Sequence, residues 1–285
     1  MHPLAFLTLD NQDGWVIDDA LAIEPLQKLG YTVQFVPWRA QIDWGQFDAV
    51  IIRSPWDYQH HPETFLTVLE TITRTTRLAN PLELVTWNLR KTYLRELATH
   101  KVPAIPTAWG QSLTQPGVAD LLRDLNTDPI ILKPLISASA ENTHLLYRDG
   151  RGWDDALKTF HKREFLAQPF IENILSEGEF SLFFFGGVYS HAILKTPKSG
   201  DFRVQEEYGG LIQAIEPEPE LLAVAQKALS TLDSTPLYAR TDFIRLPEGG
   251  FAVMEFELIE PSLYFRTHPA APENFARAVD HWMKT

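Results

Sequence analysis

The stretch Tyr238-Ala239-Arg240-Thr241-Asp242-Phe243-Ile244, the turn Pro247-Glu248-Gly249-Gly250 and the run Phe251-Ala252-Val253-Met254-Glu255-Phe256-Glu257-Leu258 decide how this 285-residue chain is read. Two apolar runs joined by a glycine-containing turn predict a β-hairpin. Strand side chains alternate between faces, so Arg240 and Asp242 share one face of the first strand and Glu255 and Glu257 one face of the second, with Met254, Phe256 and Leu258 turned away. With Glu248-Gly249 as a two-residue loop, Asp242 falls opposite Glu255 and Arg240 opposite Glu257, with Cβ atoms roughly 4.5–5.5 Å apart. An odd loop length would put the acids on opposite faces. Opposed acids in half-buried strands repel one another unless a positive charge compensates. A hard divalent cation that leaves room for substrate phosphates supplies that charge. The competing reading is a solvated outer face on which Arg240 pairs one acid.

Strand signals crowd the chain on either side of this hairpin from Phe165 onward: Leu166–Ile171, Phe180–Phe185, Ser190–Leu194 and Phe202–Gln205, with helices at Glu220–Leu232 and at the end. Strands in succession predict a mixed or antiparallel sheet. The first hundred residues instead alternate: strand Leu4–Leu9, helix Asp18–Leu29, strands Thr32–Val36 and Phe47–Ile52, helix Pro62–Arg74. That alternation predicts a parallel, Rossmann-like sheet. A helix over Trp87–His100 leads into a small middle region holding the buried strand Ile130–Lys133. The fold class is therefore α/β (α+β), with an N-terminal lobe over 1–100, a central small lobe over 101–167 and a C-terminal lobe over 168–285 that carries the metal site.

Composition narrows the function. The formal charge of −12 argues against a nucleic-acid partner, because phosphate-backbone binders gather Lys and Arg on one face. With no cysteine, thiolate metal sites and cysteine nucleophiles are excluded. The apolar start Leu4–Leu9 has no basic flank, and no apolar run reaches the roughly 20 residues of a membrane span, so no membrane partner and a cytoplasmic location are expected.

Other candidates lie at strand ends. The polar loops Asp10–Gly14 and Arg53–Tyr58 follow strands at the edge where open α/β sheets bind ligands, although Asp10 and Asp13 also read as turn formers. Arg53 suits a substrate carboxylate and Asp57 an ammonium, with Trp56 between them, which favours an amino-acid-like small molecule; a capped turn is the alternative. Lys133 precedes Pro134 and the small-residue loop Ser137-Ala138-Ser139-Ala140, whose backbone can approach a polyphosphate closely. A surface lysine at a strand end is the plainer explanation, and Lys91 on its helix reads most simply as solvated. His191 reads as a general base or as a structural histidine.

Taken in order, Asn88 to Lys91, Leu132-Lys133-Pro134, Gln168-Pro169-Phe170-Ile171, Gly178-Glu179-Phe180-Ser181, Tyr238–Asp242 and Met254–Glu257 resemble the ATP-grasp superfamily of carboxylate-amine ligases, which includes D-alanine:D-alanine ligase and glutathione synthetase. Arg53–Tyr58, Asp201–Gln205 and Glu257-Leu258-Ile259-Glu260-Pro261 are most similar to the branch of D-cycloserine synthetase, an O-ureido-serine cyclo-ligase. The resemblance implies an ATP-grasp fold whose two later lobes clasp the nucleotide. It implies Lys91 and Lys133 on the ATP phosphates, the Gln168–Ile171 backbone on adenine, and Glu179 on the ribose. Asp242, Glu255 and Glu257 would bridge Mg²⁺ to the phosphates, with two ions expected and Mn²⁺ as a substitute. Arg240, helped by Arg203 and Lys195, would stabilise an acyl phosphate and then the tetrahedral intermediate, in an intermolecular or cyclising ligation. A homodimer is also implied. Two departures stand out: Glu257 replaces the Asn of many relatives, and no glycine lies between Ile136 and His144. A phosphotransferase acting on a small alcohol and a non-catalytic ATP-binding regulator are the alternatives; the regulator reading expects loss of Lys133, Arg240 or a metal acid, and none is lost.

Overall fold

Strands β1 (His2–Thr8), β2 (Tyr31–Pro37), β3 (Ala49–Ser54) and β4 (Arg77–Ala79) form an all-parallel sheet of order β2-β1-β3-β4 in the computed structural model, which describes residues 1–285. β3 is buried along its whole length, as a parallel strand covered on both faces must be. The helix Pro62–Thr73 starts on a proline and turns Phe65, Leu69 and Ile72 onto the sheet, one apolar stripe at helical spacing.

The helix expected over Trp87–His100 is two helices, Leu82–Asn88 and Tyr93–Thr99. Lys91 lies in the break between them, where its N–H donates to the Leu135 carbonyl at 2.9 Å, so it is not a solvated helix residue. The buried Asn88 side chain anchors the break, donating to the Phe256 carbonyl at 2.6 Å and accepting from the Leu258 N–H at 2.8 Å. Nothing in helical periodicity signals that interruption.

The middle of the chain forms β5 (Ala108–Gly110), β6 (Ile130–Pro134), β7 (His144–Leu146) and β8 (Phe165–Pro169), an antiparallel sheet of order β5-β8-β6-β7. Its own core includes Val118, Leu122, Leu132 and Phe160. β8 belongs here and not, as expected, to the succession of strands that follows it; an expected boundary after residue 167 falls inside β8.

The last sheet holds β9 (Glu179–Phe185), β10 (Val188–Thr196), β11 (Leu211–Ile215), β12 (Tyr238–Arg245) and β13 (Phe251–Glu257), antiparallel in the order β11-β10-β9-β12-β13. Phe202–Gln205 is not a strand: it lies in a loop between β10 and β11. One core joins Leu4, Phe6 and Ile51 of the first sheet to Phe183 and Phe185 of the last, under the C-terminal helix Ala271–Lys284. Buried Asn80 ties the same two sheets, donating to the carbonyls of Tyr238 and Leu258 at 2.9 and 2.7 Å and accepting from the Leu237 N–H at 2.7 Å. No helix is long and apolar enough to cross a membrane.

Candidate active site

The hairpin of β12 and β13 places the acids where the alternation predicts, by a route the sequence reading did not anticipate. Leu246 and Gly250 close the turn, the Leu246 N–H donating to the Gly250 carbonyl at 3.0 Å, so Pro247-Glu248-Gly249 is a three-residue loop. That odd length shifts the near pairs to Arg245 with Phe251 and Phe243 with Val253. A bulge at Met254 then restores the other parity, and Asp242 faces Glu255 while Arg240 faces Glu257. The bulge also turns Met254 into the cleft beside Glu255, contrary to its expected place on the opposite face.

Oxygens of Asp242, Glu255 and Glu257 lie within 4.8 Å of one another. That spread is close to the roughly 4 Å spanned by opposite ligands of an octahedral Mg²⁺. Carboxylates alone are the donor set a hard cation takes, so the three residues fit the expected metal. Cations from β10, from the break between the two helices and from β12 itself surround them. Lys91 pairs with Glu255, Arg240 with both Asp242 and Glu257, and Lys195 lies 2.8 Å from Glu179 and 3.6 Å from Asp242. Ser181 Oγ donates to Asp242 at 2.5 Å. Burial pushes Asp242 up, but Arg240 and Lys195 overcome it and hold the carboxyl at about 2. Burial and neighbouring carboxylates push Glu257 up, against the pull of Arg240. β9 approaches β10 closely enough for the Glu179–Lys195 pair because Gly178 (φ +117°) starts it; a Cβ there would lie 2.4 Å from the Lys195 carbonyl.

Lys133, at the end of β6 on the opposite wall, is half-buried and has no acidic partner. Burial lowers its pKa, only partly offset by Glu255. The adjoining loop, Ser137 to Ala140, also lines the cleft. Its missing glycines are replaced by strain, since Ser139, Ala140 and Asn142 take φ of 51°, 54° and 55°. Gln168, Pro169, Phe170 and Ile171 line the cleft where β8 leaves the middle sheet. The Phe170 N–H is used by the Pro129 carbonyl at 3.1 Å, so the Pro169 carbonyl, trans to it across the same peptide, faces the other way.

Two expected substrate residues do not reach the cleft. Arg53 is completely buried, donating to Asp19 at 3.0 Å and to the Pro261 carbonyl at 2.9 Å, with its guanidinium over the Tyr238 ring. Asp57 accepts from Trp38 Nε1 at 2.7 Å and pairs with Arg39. Trp56, between them in sequence, does line the cleft, donating from Nε1 to the Glu260 carbonyl at 2.8 Å. Arg203 lines it from the loop and pairs with Asp201 at 2.7 Å. His191 lies outside the lining, stacked on Phe183 with Nε2 3.0 Å from the Leu263 carbonyl; burial lowers it to about 4.

Sequence reasoning missed Trp15, Tyr58, Glu260, Ser262 and Tyr264, all of which line the same cleft. Glu260 and Tyr58 had a signal, their places in the quoted segments Glu257–Pro261 and Arg53–Tyr58; the others arrive through tertiary packing. Burial pushes Glu260 up to about 7, with the Tyr58 hydroxyl beside it. Across the whole lining seven acids face five bases, so a triphosphate could enter only together with cations.

Comparison with known proteins gives a consistent answer. Residues 4–80 match the family described as the N-terminal domain of the D-cycloserine synthetase DcsG. The cycloserine biosynthesis protein DcsG of Streptomyces lavendulae is 31% identical over 280 residues, covering 92% of each chain. The crystal structure of D-cycloserine synthetase DcsG superposes with a TM-score of 0.87 at 29% identity, covering 99% of each chain. D-alanine–D-alanine ligase from Bacillus anthracis shares the fold, with a TM-score of 0.71 at 15% identity over 100% of this chain and 97% of its own.

Proposed function

The chain belongs to the D-cycloserine synthetase family of ATP-grasp ligases and is an ATP-dependent carboxylate-amine ligase, and from that premise we propose that it activates the carboxylate of a small amino-acid analogue as an acyl phosphate. The supporting observation is the opposition, across one cleft, of three clustered carboxylates and the unpaired ammonium of Lys133. Phosphoryl transfer is chiefly a matter of positioning and charge neutralisation, and this cleft is built for both.

In this reading Lys133, Lys91 and the backbone from Ser137 to Ala140 hold the triphosphate, with Ser139 inside that loop. The Pro169 carbonyl and Ile171 N–H meet the adenine edge, Gln168 and Phe170 flank it, and Glu179 takes the ribose hydroxyls. Asp242, Glu255 and Glu257 would hold Mg²⁺, two ions with Mn²⁺ as a substitute, whose charge would offset that of the phosphates. A carboxylate oxygen attacks the γ-phosphorus, the bond to the bridging oxygen breaks, and ADP leaves. A nitrogen of the same or a second molecule then attacks the carbonyl carbon; the C–O bond to phosphate breaks, inorganic phosphate departs and the nitrogen releases its proton to solvent. Arg240, with Lys195 and Arg203, stabilises the negative oxygens of both steps. The middle lobe, which runs to the end of β8 at Pro169, closes on the C-terminal lobe that follows, with the N-terminal lobe (1–100) supplying the substrate end. A cytoplasmic location, from the apolar patterning, and a homodimer, from the resemblance alone, complete the reading.

The test is ADP release from MgATP against a panel of amino acids with and without added amine, O-ureido-serine included. Turnover that depends on one panel member supports the proposal; tight MgATP binding with no turnover on any member overturns it in favour of a non-catalytic ATP-binding role.

A further inference from the structure

The deep carboxylates of the cleft are matched with cations: Glu179 with Lys195, Asp242 and Glu257 with Arg240, Glu255 with Lys91. Glu260 is the half-buried exception, with no Lys, Arg or His nitrogen within 4.0 Å. It also lies outside the trio that could share a metal. A carboxylate withdrawn from water takes up a proton or gains a compensating cation; at Glu260 the Tyr58 hydroxyl bonds the carboxyl and Lys91 and Arg240 act on it only from a distance, so the place of a directly paired cation is open.

Its surroundings say what kind of cation fits. The backbone on either side of Glu260 is pinned from two lobes: from the first, Trp56 Nε1 donates to the Glu260 carbonyl and Arg53 to that of Pro261, and from β12 the Tyr238 hydroxyl donates to that of Ile259 at 2.9 Å. The rings of Trp15 and Trp56 lie 5.2 Å apart at this end of the cleft, surfaces that favour an ammonium. Arg240, the group that meets the reacting carboxylate, reaches the Ser262 carbonyl at 3.4 Å, two residues beyond Glu260. The guanidinium and the Glu260 carboxylate thus line one cleft, the arrangement a small molecule bearing both an acid and an amine requires.

We propose that Glu260 holds the α-ammonium of a zwitterionic amino-acid substrate, a group that takes no part in bond formation but fixes which carboxylate is presented for activation. The proposal rests on the ligase reading and moves the ammonium site from Asp57, which Trp38 and Arg39 consume, to Glu260.

O-ureido-serine, or the panel amino acid that turns over, is compared with the same molecule lacking its α-amino group, in wild type and in Glu260→Gln. Wild type should prefer the amine form in kcat/KM by about 10- to 100-fold, the range of a charge-assisted hydrogen bond. Glu260→Gln should lose that preference while its KM for MgATP stays within about twofold, and Glu260→Asp should retain part of it. Equal loss on both substrates, or a raised KM for MgATP, would overturn the assignment. A wild type that releases no ADP with any substrate sinks the ligase reading itself, a distinguishable result.

Discussion

Arg240 in the β12–β13 hairpin and Arg53 at the end of β3 carry the same local signature, an arginine at the rim of an apolar run, and meet opposite fates. Both are buried and both pair with an aspartate. Arg53 is closed off, its donors divided among Asp19, the Ile52 carbonyl and the Pro261 carbonyl, with Tyr238 and Phe275 rings around it. Arg240 opens onto the cleft, where its partners Asp242 and Glu257 belong to a larger set of acids on one bulged sheet face. Burial of a charge is thus not what distinguishes a site. An excess of like charge, held together by strands that have no other need of it, does.

The sharpest test of that contrast lies on the hairpin. Glu255→Gln should lower kcat by about 10³-fold, since one ligand of a charge-neutralising centre is lost. Stability should hardly change, because Lys91 keeps an amide oxygen to bond and the field of Glu257 and Glu260. Steady-state ADP release with a thermal melt checks both, and a fully active variant would remove the metal assignment.

Arg53→Met should do the reverse. Removing one partner of a buried pair leaves Asp19 charged and unmatched, costing about 3–5 kcal/mol of stability, while Arg53→Met/Asp19→Leu should recover most of it. Urea unfolding of the three proteins measures this, and activity per folded molecule should fall less than about tenfold. If the single variant instead stays stable and loses substrate affinity, Arg53 belongs to the site and the comparison fails.

How much of this could be read in advance depends on whether a residue's role is set within one element. Strand alternation put Arg240, Asp242, Glu255 and Glu257 in one group, and the parallel first sheet followed from its strand-helix rhythm. The three-residue loop and its bulge were invisible because two departures from parity cancelled. The place of Lys91 on a continuous helix was misread because the helix break depends on Asn88 bonding to Phe256 and Leu258, more than 160 residues away. Arg53 and Asp57 were assigned to substrate because their true partners, Asp19, Pro261, Trp38 and Arg39, lie on other elements. Phe202–Gln205 has strand composition but no strand beside it to pair with.

His191 tests the closed side of the comparison most gently. It is buried and neutral, bonded through Nε2 to Leu263 and stacked on Phe183. Its folded value, about 4, lies below the ordinary 6.5 because burial disfavours the imidazolium. As pH falls through 6.5 the unfolded chain takes up this proton first, so the folded state loses stability progressively between about 6.5 and 4 and regains none below. The group should account for about 2–3 kcal/mol of that loss. Urea midpoints at about pH 7 and about pH 4.5 should therefore converge in His191→Gln, which keeps a donor for Leu263 but cannot titrate, relative to wild type. Its pH profile of kcat should match wild type, since the ring faces away from the cleft; a lost ionisation in that profile would make His191 the general base after all.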